Sequence, residues 1–135
     1  MILNPNADIT IYNRYYDKKE NIEKYQKTII KRVNWQTKRE STVSDKGLLV
    51  ANSTLIFIDN LKDYISPKKF RQLSDDERVK HFTLSAQDKI VKGILNFEVT
   101  GRSLNSISDL ENKFDDVVSI STVSEFSNHI EVYCK

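Results

Sequence analysis

The sequence predicts a mainly β fold, a small antiparallel β-barrel or sandwich with one amphipathic helix and a long loop insertion. Three observations lead there. Six or seven segments are rich in Val, Ile, Thr and Tyr, and several alternate apolar with polar residues, the period of a half-buried strand. One segment spaces its apolar residues as a helix does, with Leu104, Ile107, Leu110 and Phe114 on one face. Between the strands, residues 59–88 show little strand character, and an insertion of that size, about 30 residues, exceeds what a connection requires. Many strands and one helix fit a sheet closed or stacked on itself.

Asp8 to Tyr16 is the first strand, Ile9 and Ile11 alternating with Thr10 and Tyr12. A polar turn, DKKENIE, leads to its hairpin partner, Lys24 to Trp35, where Ile29, Val33 and Trp35 share one parity and Lys31 interrupts it. Thr37 to Val43 carries charges and hydroxyls without helical period and reads as an exposed strand end or a loop. Leu48 to Ile58, split at Asn52-Ser53, is apolar enough for one strand buried on both faces or two short ones, and is the expected centre of the core.

Within 59–88, Ser66-Pro67 supplies an N-cap and first helical residue for a short helix ending at Leu73, and Ser74-Asp75-Asp76-Glu77 starts another. Asp88 to Val99 is the next expected strand, with Gly93 marking a bulge or bend. The amphipathic helix spans Ser103 to Phe114, with Ser106 available as a cap. Val117 to Val123 and His129 to Cys134 are the last strands, joined by SEFSN.

At 135 residues, with no internal repeat or Gly/Ser-rich linker, the chain reads as a single domain, 1–135, with 59–88 as an irregular insertion within it. The longest charge-free run, Gly47 to Ile58, is far below the roughly 20 residues of a membrane helix, so no membrane contact is expected. The N-terminus lacks the pattern of a secretory signal, which implies synthesis in the cytoplasm. A single cysteine, Cys134, offers neither an internal disulfide nor a zinc pair. The net charge of +2 is too small to announce a nucleic-acid-binding domain. Its distribution is uneven: residues 1–71 hold 14 Lys+Arg against 8 Asp+Glu, +6, and residues 72–135 hold 7 against 11, −4. Either the fold interleaves the halves and cancels this, or opposite patches meet between copies in a ring or stack.

Catalysis needs a nucleophile with a base in reach, and the supply is thin. His81 and His129 read as edge residues, and Cys134 as a buried or terminal thiol. Asp75-Asp76-Glu77 loads a helix start, and Asp115-Asp116 forms a turn. No metal-ligand spacing and no Gly-rich phosphate loop occurs, so neither cofactor nor enzymatic activity is expected. One nucleic-acid signal remains: Tyr12, Arg14, Tyr15 and Tyr16 on one hairpin strand face Tyr25, Lys27, Lys31, Arg32, Trp35, Lys38 and Arg39 on the other. Aromatics among cations stack bases on oligonucleotide-binding barrels, and equally pack a barrel flank while the cations face water.

The runs ITIYNRYYDKKENIEKYQKTIIKRVNWQTK, VSDKGLLVANSTLIFI, YISPKKF, FTLSAQDKIVKGILNFEVTG and LENKFDDVVSISTV together resemble a family of small virion proteins of clostridial phages and prophages. They are also similar to the wider group of phage head-tail joining, or head closure, proteins of the neck. The likeness covers nearly the whole chain, with one departure: Gln87-Asp88 stands where Gly-Asp is the pattern. What the resemblance implies is a virion protein forming a homo-oligomeric ring between portal or adaptor and tail, with phage DNA passing non-specifically through the channel. On that reading Tyr64, Lys68, Lys69 and Arg71 form a loop toward the channel or a partner, and Leu104, Ile107 and Leu110 belong to a subunit interface. The alternatives are a tail completion or tail terminator protein, and a single-stranded nucleic-acid-binding barrel.

Overall fold

The computed structural model describes residues 4–44, 47–101 and 104–135, the side chains of residues 39–44 and 47–52 excepted. Its strands are β1 (Ala7–Asp17), β2 (Ile22–Ser44), β3 (Gly47–Ile58), β4 (Lys89–Lys92), β5 (Val117–Glu125) and β6 (Ile130–Cys134); its helices are α1 (Pro67–Gln72), α2 (Asp75–Arg78) and α3 (Ile107–Lys113). The strands close into an antiparallel barrel in the order β1-β2-β3-β6-β5-β4. Of the two expected architectures, the barrel is the one formed.

Two bulged corners allow the closure. β2 pairs with β1 up to Val33, then with β3 from Asn34 onward, and at the junction Lys31 and Arg32 oppose the single residue Asp8. Arg32 takes a left-handed φ of 61° there, and its backbone N–H donates to the Asp8 carboxylate at 3.0 Å. β5 changes partner in the same way, from β4 to β6, with a register shift between Ile120 and Thr122. Such bulges bend a strand and let one sheet turn into the next.

The first bulge corrects the expected parity of β2. Ile30, Val33 and Trp35 are buried, whereas Ile29 is exposed, because the extra residue moves the inward face from even to odd positions. The lumen is filled mainly by aliphatic side chains, among them Ile9, Ile11, Ile56, Ile58, Ile90 and Val132. Each contributes about 1.5–3 kcal/mol by burial. A second cluster covers the outside of β1 and β4, where Tyr12, Val91, Val99 and Leu110 meet beneath α3. For this reason Ile9 to Asn13 are all buried, on both faces of one strand.

The expected strand from Asp88 to Val99 stops at Lys92. Gly93, at φ 108°, turns the chain out of the ladder, and its N–H donates to the Asp8 carbonyl at 2.7 Å. Just beyond it, side chains of β1 hold the chain. The Thr10 hydroxyl donates to the Gly93 carbonyl and accepts from the Leu95 N–H, and the Tyr12 hydroxyl donates to the Phe97 carbonyl at 2.8 Å.

β3 is one continuous strand, but only Thr54 to Phe57 pair on both sides. Residues Gly47–Ser53 pair with β2 alone, so this half lies outside the barrel wall rather than at the centre of the core. With the facing stretch of β2, read from sequence as a strand end or loop, it forms a two-stranded arm about 23 Å long at the usual rise per residue. The side chains of Leu48 to Asn52 fall outside the described residues.

The 59–88 insertion carries α1 and α2 as expected, capped by Ser66 and Ser74. It also contributes to the core, because Phe82 and Leu84 join the lumen cluster. A buried polar knot anchors its end. Asp88 accepts from the Asn13 side-chain amide and from the Arg14 and Ser85 N–H groups, and Asn13 exchanges two hydrogen bonds with the Thr83 backbone. α3 begins at Ile107, later than expected, under a capping box in which Ser106 and Asp109 satisfy each other's backbone N–H groups.

Candidate functional site

The β1–β2 turn and the α1–α2 pair face each other across a cleft of about 890 Å³. Each wall is rigid for a local reason. In the turn, the Asp17 carboxylate accepts from the N–H groups of Lys19 and Glu20, and the Lys24 ammonium lies 2.9 Å from Asp17 and 3.2 Å from Glu20. That bond to Lys24 holds the Asp17 carboxyl below its usual range, leaving it ionised and paired. Lys18 and Lys19 are thereby left pointing outward with no carboxylate of the turn to neutralise them.

On the other wall, α2 is tied to β2 by one side chain. The Gln26 amide donates to the carbonyls of Arg78 and His81, at 3.1 and 2.7 Å. This sets the Arg78 guanidinium over the Tyr15 ring, 3.7 Å from its centre, while Asp75 takes one of its terminal nitrogens. Arg78 is only 8% exposed, and its Nε is buried without a hydrogen-bond partner. The cleft lining holds five cations, Arg14, Lys18, Lys19, Arg71 and Arg78, against two carboxylates, Glu23 and Asp75. Tyr16, 53% exposed, adds an accessible ring.

Of the loop residues singled out from sequence, Arg71 lines this cleft, and Lys68 and Lys69 are exposed on the same helix. Tyr64 is separate from them. It packs edge-on against Phe82, its hydroxyl donates to Glu125, and burial raises its phenol well above the usual range. The basic-aromatic hairpin is likewise divided. Arg14, Tyr15 and Tyr16 enter the cleft, but Tyr12 is buried, Trp35 is 6% exposed, and Lys27 pairs with Glu98 at 3.1 Å. No continuous stacking face remains among the described residues of that hairpin, and the Arg39 side chain lies outside them. The contributions of Lys18, Lys19 and Arg78 were not evident, since DKKEN reads as a turn and DDER as a helix start. The only available signal was the density of cations in two segments far apart in sequence.

The three residues expected at a subunit interface also part company. Leu110 is fully buried against Tyr12, Val91 and Val99, and Ile107 packs on the same cluster, so both serve the protein's own core. Leu104 alone is available to a neighbour, at 80% exposed.

His81 is half-buried with its Nδ1 unpartnered, and His129 stacks on Phe126 at 4.7 Å. Burial pushes the Cys134 thiol up to about 12, which makes it a poor nucleophile. Asp115 and Asp116 are exposed in the turn before β5. Among the described residues, no group of three His, Cys, Asp or Glu side chains is placed to hold a metal ion, and no helix is long and apolar enough to cross a membrane. No curated protein and no solved structure matches the chain. The model of a family of unknown function, DUF6751, matches residues 3–135, and the chain belongs to that family.

Proposed function

We propose that the protein is a structural component of a bacteriophage neck, a ring of identical subunits between portal or adaptor and tail that closes the filled head and joins it to the tail. The observation that carries this reading is the two-stranded arm. A closed barrel has no free edges, yet here residues 47–53 of β3 and the facing residues of β2 extend past it, paired only with each other. A two-stranded ribbon is marginal by itself in water, and its two open edges offer backbone donors and acceptors to another chain. In a ring, each arm reaches the adjacent subunit, and the contact repeats at every interface.

The resemblance along the chain, the uneven charge of its two halves and the exposed Leu104 point the same way. The partners on this reading are further copies of the chain, the portal or adaptor and the tail proteins, with DNA passing through the channel. The test is a reconstruction of the intact particle by electron cryomicroscopy. A ring of this chain between portal and tail is the expected result, and its absence from the particle overturns the reading.

A further inference from the structure

We propose that the cleft between the β1–β2 turn and the α1–α2 pair is a binding site for the sugar–phosphate backbone of DNA. Three features of the cleft support this. Its five cations come from two walls whose backbones are fixed independently, one by the Asp17 turn and one by Gln26, before any ligand arrives. Its floor carries Arg78, nine-tenths buried, its guanidinium 3.7 Å from the Tyr15 ring centre and one terminal nitrogen held by Asp75. Arginine placed this way suits a phosphate, being planar, always charged and weakly hydrated. Tyr16 stands exposed at the edge, where a sugar or base can lie against its ring.

An acidic segment of a second copy is the competing occupant: Glu98, Glu111 and Glu125 are held within the chain by Lys27, Lys89 and Tyr64, while Asp115 and Asp116 are exposed and open to such a contact. The choice of DNA rests on the neck reading, whereas the charge of the cleft does not. Contacts limited to phosphates position a strand without reading its sequence, as a strand that must move past the site requires.

The test is fluorescence anisotropy with a labelled 20-nucleotide single strand and the matching duplex, at rising salt. The wild-type chain should bind at low salt and lose affinity steeply, with a log–log slope of about −3 for the duplex if three to four phosphates are neutralised. K18E/K19E/R71E should bind at least tenfold more weakly, on a flatter slope. K31E/K62E/K135E makes the same charge change away from the cleft and should bind as the wild type does. Tighter binding of the single strand, lost in Tyr16→Ala, identifies a stacked strand; equal binding of both probes identifies backbone contact alone, and either supports the site. No binding at low salt, or equal weakening in both triple variants, overturns it. A ring found in the particle leaves the neck reading intact in that event, and DNA binding by a chain absent from the particle leaves the cleft intact.

Discussion

The Arg78 guanidinium lies over the Tyr15 ring, 3.7 Å from its centre, and links α2 to the first strand of the barrel. Partly desolvated cation–π pairs are worth about 1–2 kcal/mol. In a double-mutant cycle, Tyr15→Ala and Arg78→Ala should therefore couple by about 1 kcal/mol in urea unfolding. Additive losses would mean that the two residues merely adjoin. Arg78→Lys should recover the charge but not the coupling, because only the planar guanidinium stacks.

Gln87 adopts a φ of 75°, in the left-handed region. Glycine is the residue that the sequence resemblance leads one to expect here, and the backbone favours it independently, since a Cβ is strained in that conformation. Gln87→Gly should stabilise the protein by about 1 kcal/mol, read as an upward shift of the urea midpoint with unchanged slope. A lower midpoint would show that the Gln87 side chain contributes more than its backbone conformation costs.

Asp88 is buried, and desolvation raises its carboxyl above the ordinary value of 3.8 despite the bonds from Asn13, Arg14 and Ser85. The folded state thus binds this proton more tightly than the unfolded chain does. The contribution of the group to stability is largest below the unfolded value, falls as pH rises through the window between 3.8 and the raised folded value, and is flat above it. Asp88→Ala should remove that pH dependence, yet lower stability by about 2–4 kcal/mol at neutral pH, because the Asn13 amide and two backbone N–H groups lose their acceptor. Chemical unfolding of both proteins across that pH range measures each effect.

Local signals were enough for much of this fold. The alternation of Ile9 and Ile11 marks β1, Ser66-Pro67 marks the start of α1, and Leu110 with Phe114 marks the inward face of α3. Local pattern misleads where a distant partner sets the geometry. Parity in β2 is reversed because the Arg32 N–H finds a carboxylate 24 residues away, at Asp8. The alternation of residues 94–99 suggests a strand, but Thr10 and Tyr12 supply bonds there that a neighbouring strand would otherwise make. The cleft was half visible. Arg14, Tyr16 and Arg71 stand out as cations and a ring in suggestive runs, while the position of Arg78 depends on Gln26, which carries no sign of that role in the sequence.

Leu104, at a φ of 70° ahead of α3, and Leu110, within it, belong to one amphipathic pattern of the sequence but should behave oppositely. Leu110→Ala leaves a cavity beneath α3 and should cost about 2–5 kcal/mol, visible as a large fall in melting temperature. Leu104→Ser removes no buried contact within the chain and should leave the melting temperature unchanged. If Leu104 meets a neighbour in the ring, Leu104→Ser should weaken self-association, measured by sedimentation at high protein concentration.

On the neck reading the arm separates folding from assembly, because the strand pairing that closes the barrel does not run through it. β3 meets β6 from Thr54 onward, and β2 meets β1 only up to Val33, so the strand pairing that closes the wall runs through none of the described residues between 39 and 52. Lys38 and Ser53 are directly opposed, the geometry that a two-residue Asn-Gly turn can close. Replacing residues 39–52 by Asn-Gly should therefore leave a folded barrel with a melting temperature within a few degrees of the full chain, since about 1 kcal/mol of change moves a domain this size by only several degrees. On the neck reading, the shortened protein should fail to form rings and should give particles that lose DNA or lack tails. If complementation instead yields infectious particles with intact necks, the arm is dispensable, and the ring contact must be sought at Leu104 and the surfaces of the barrel.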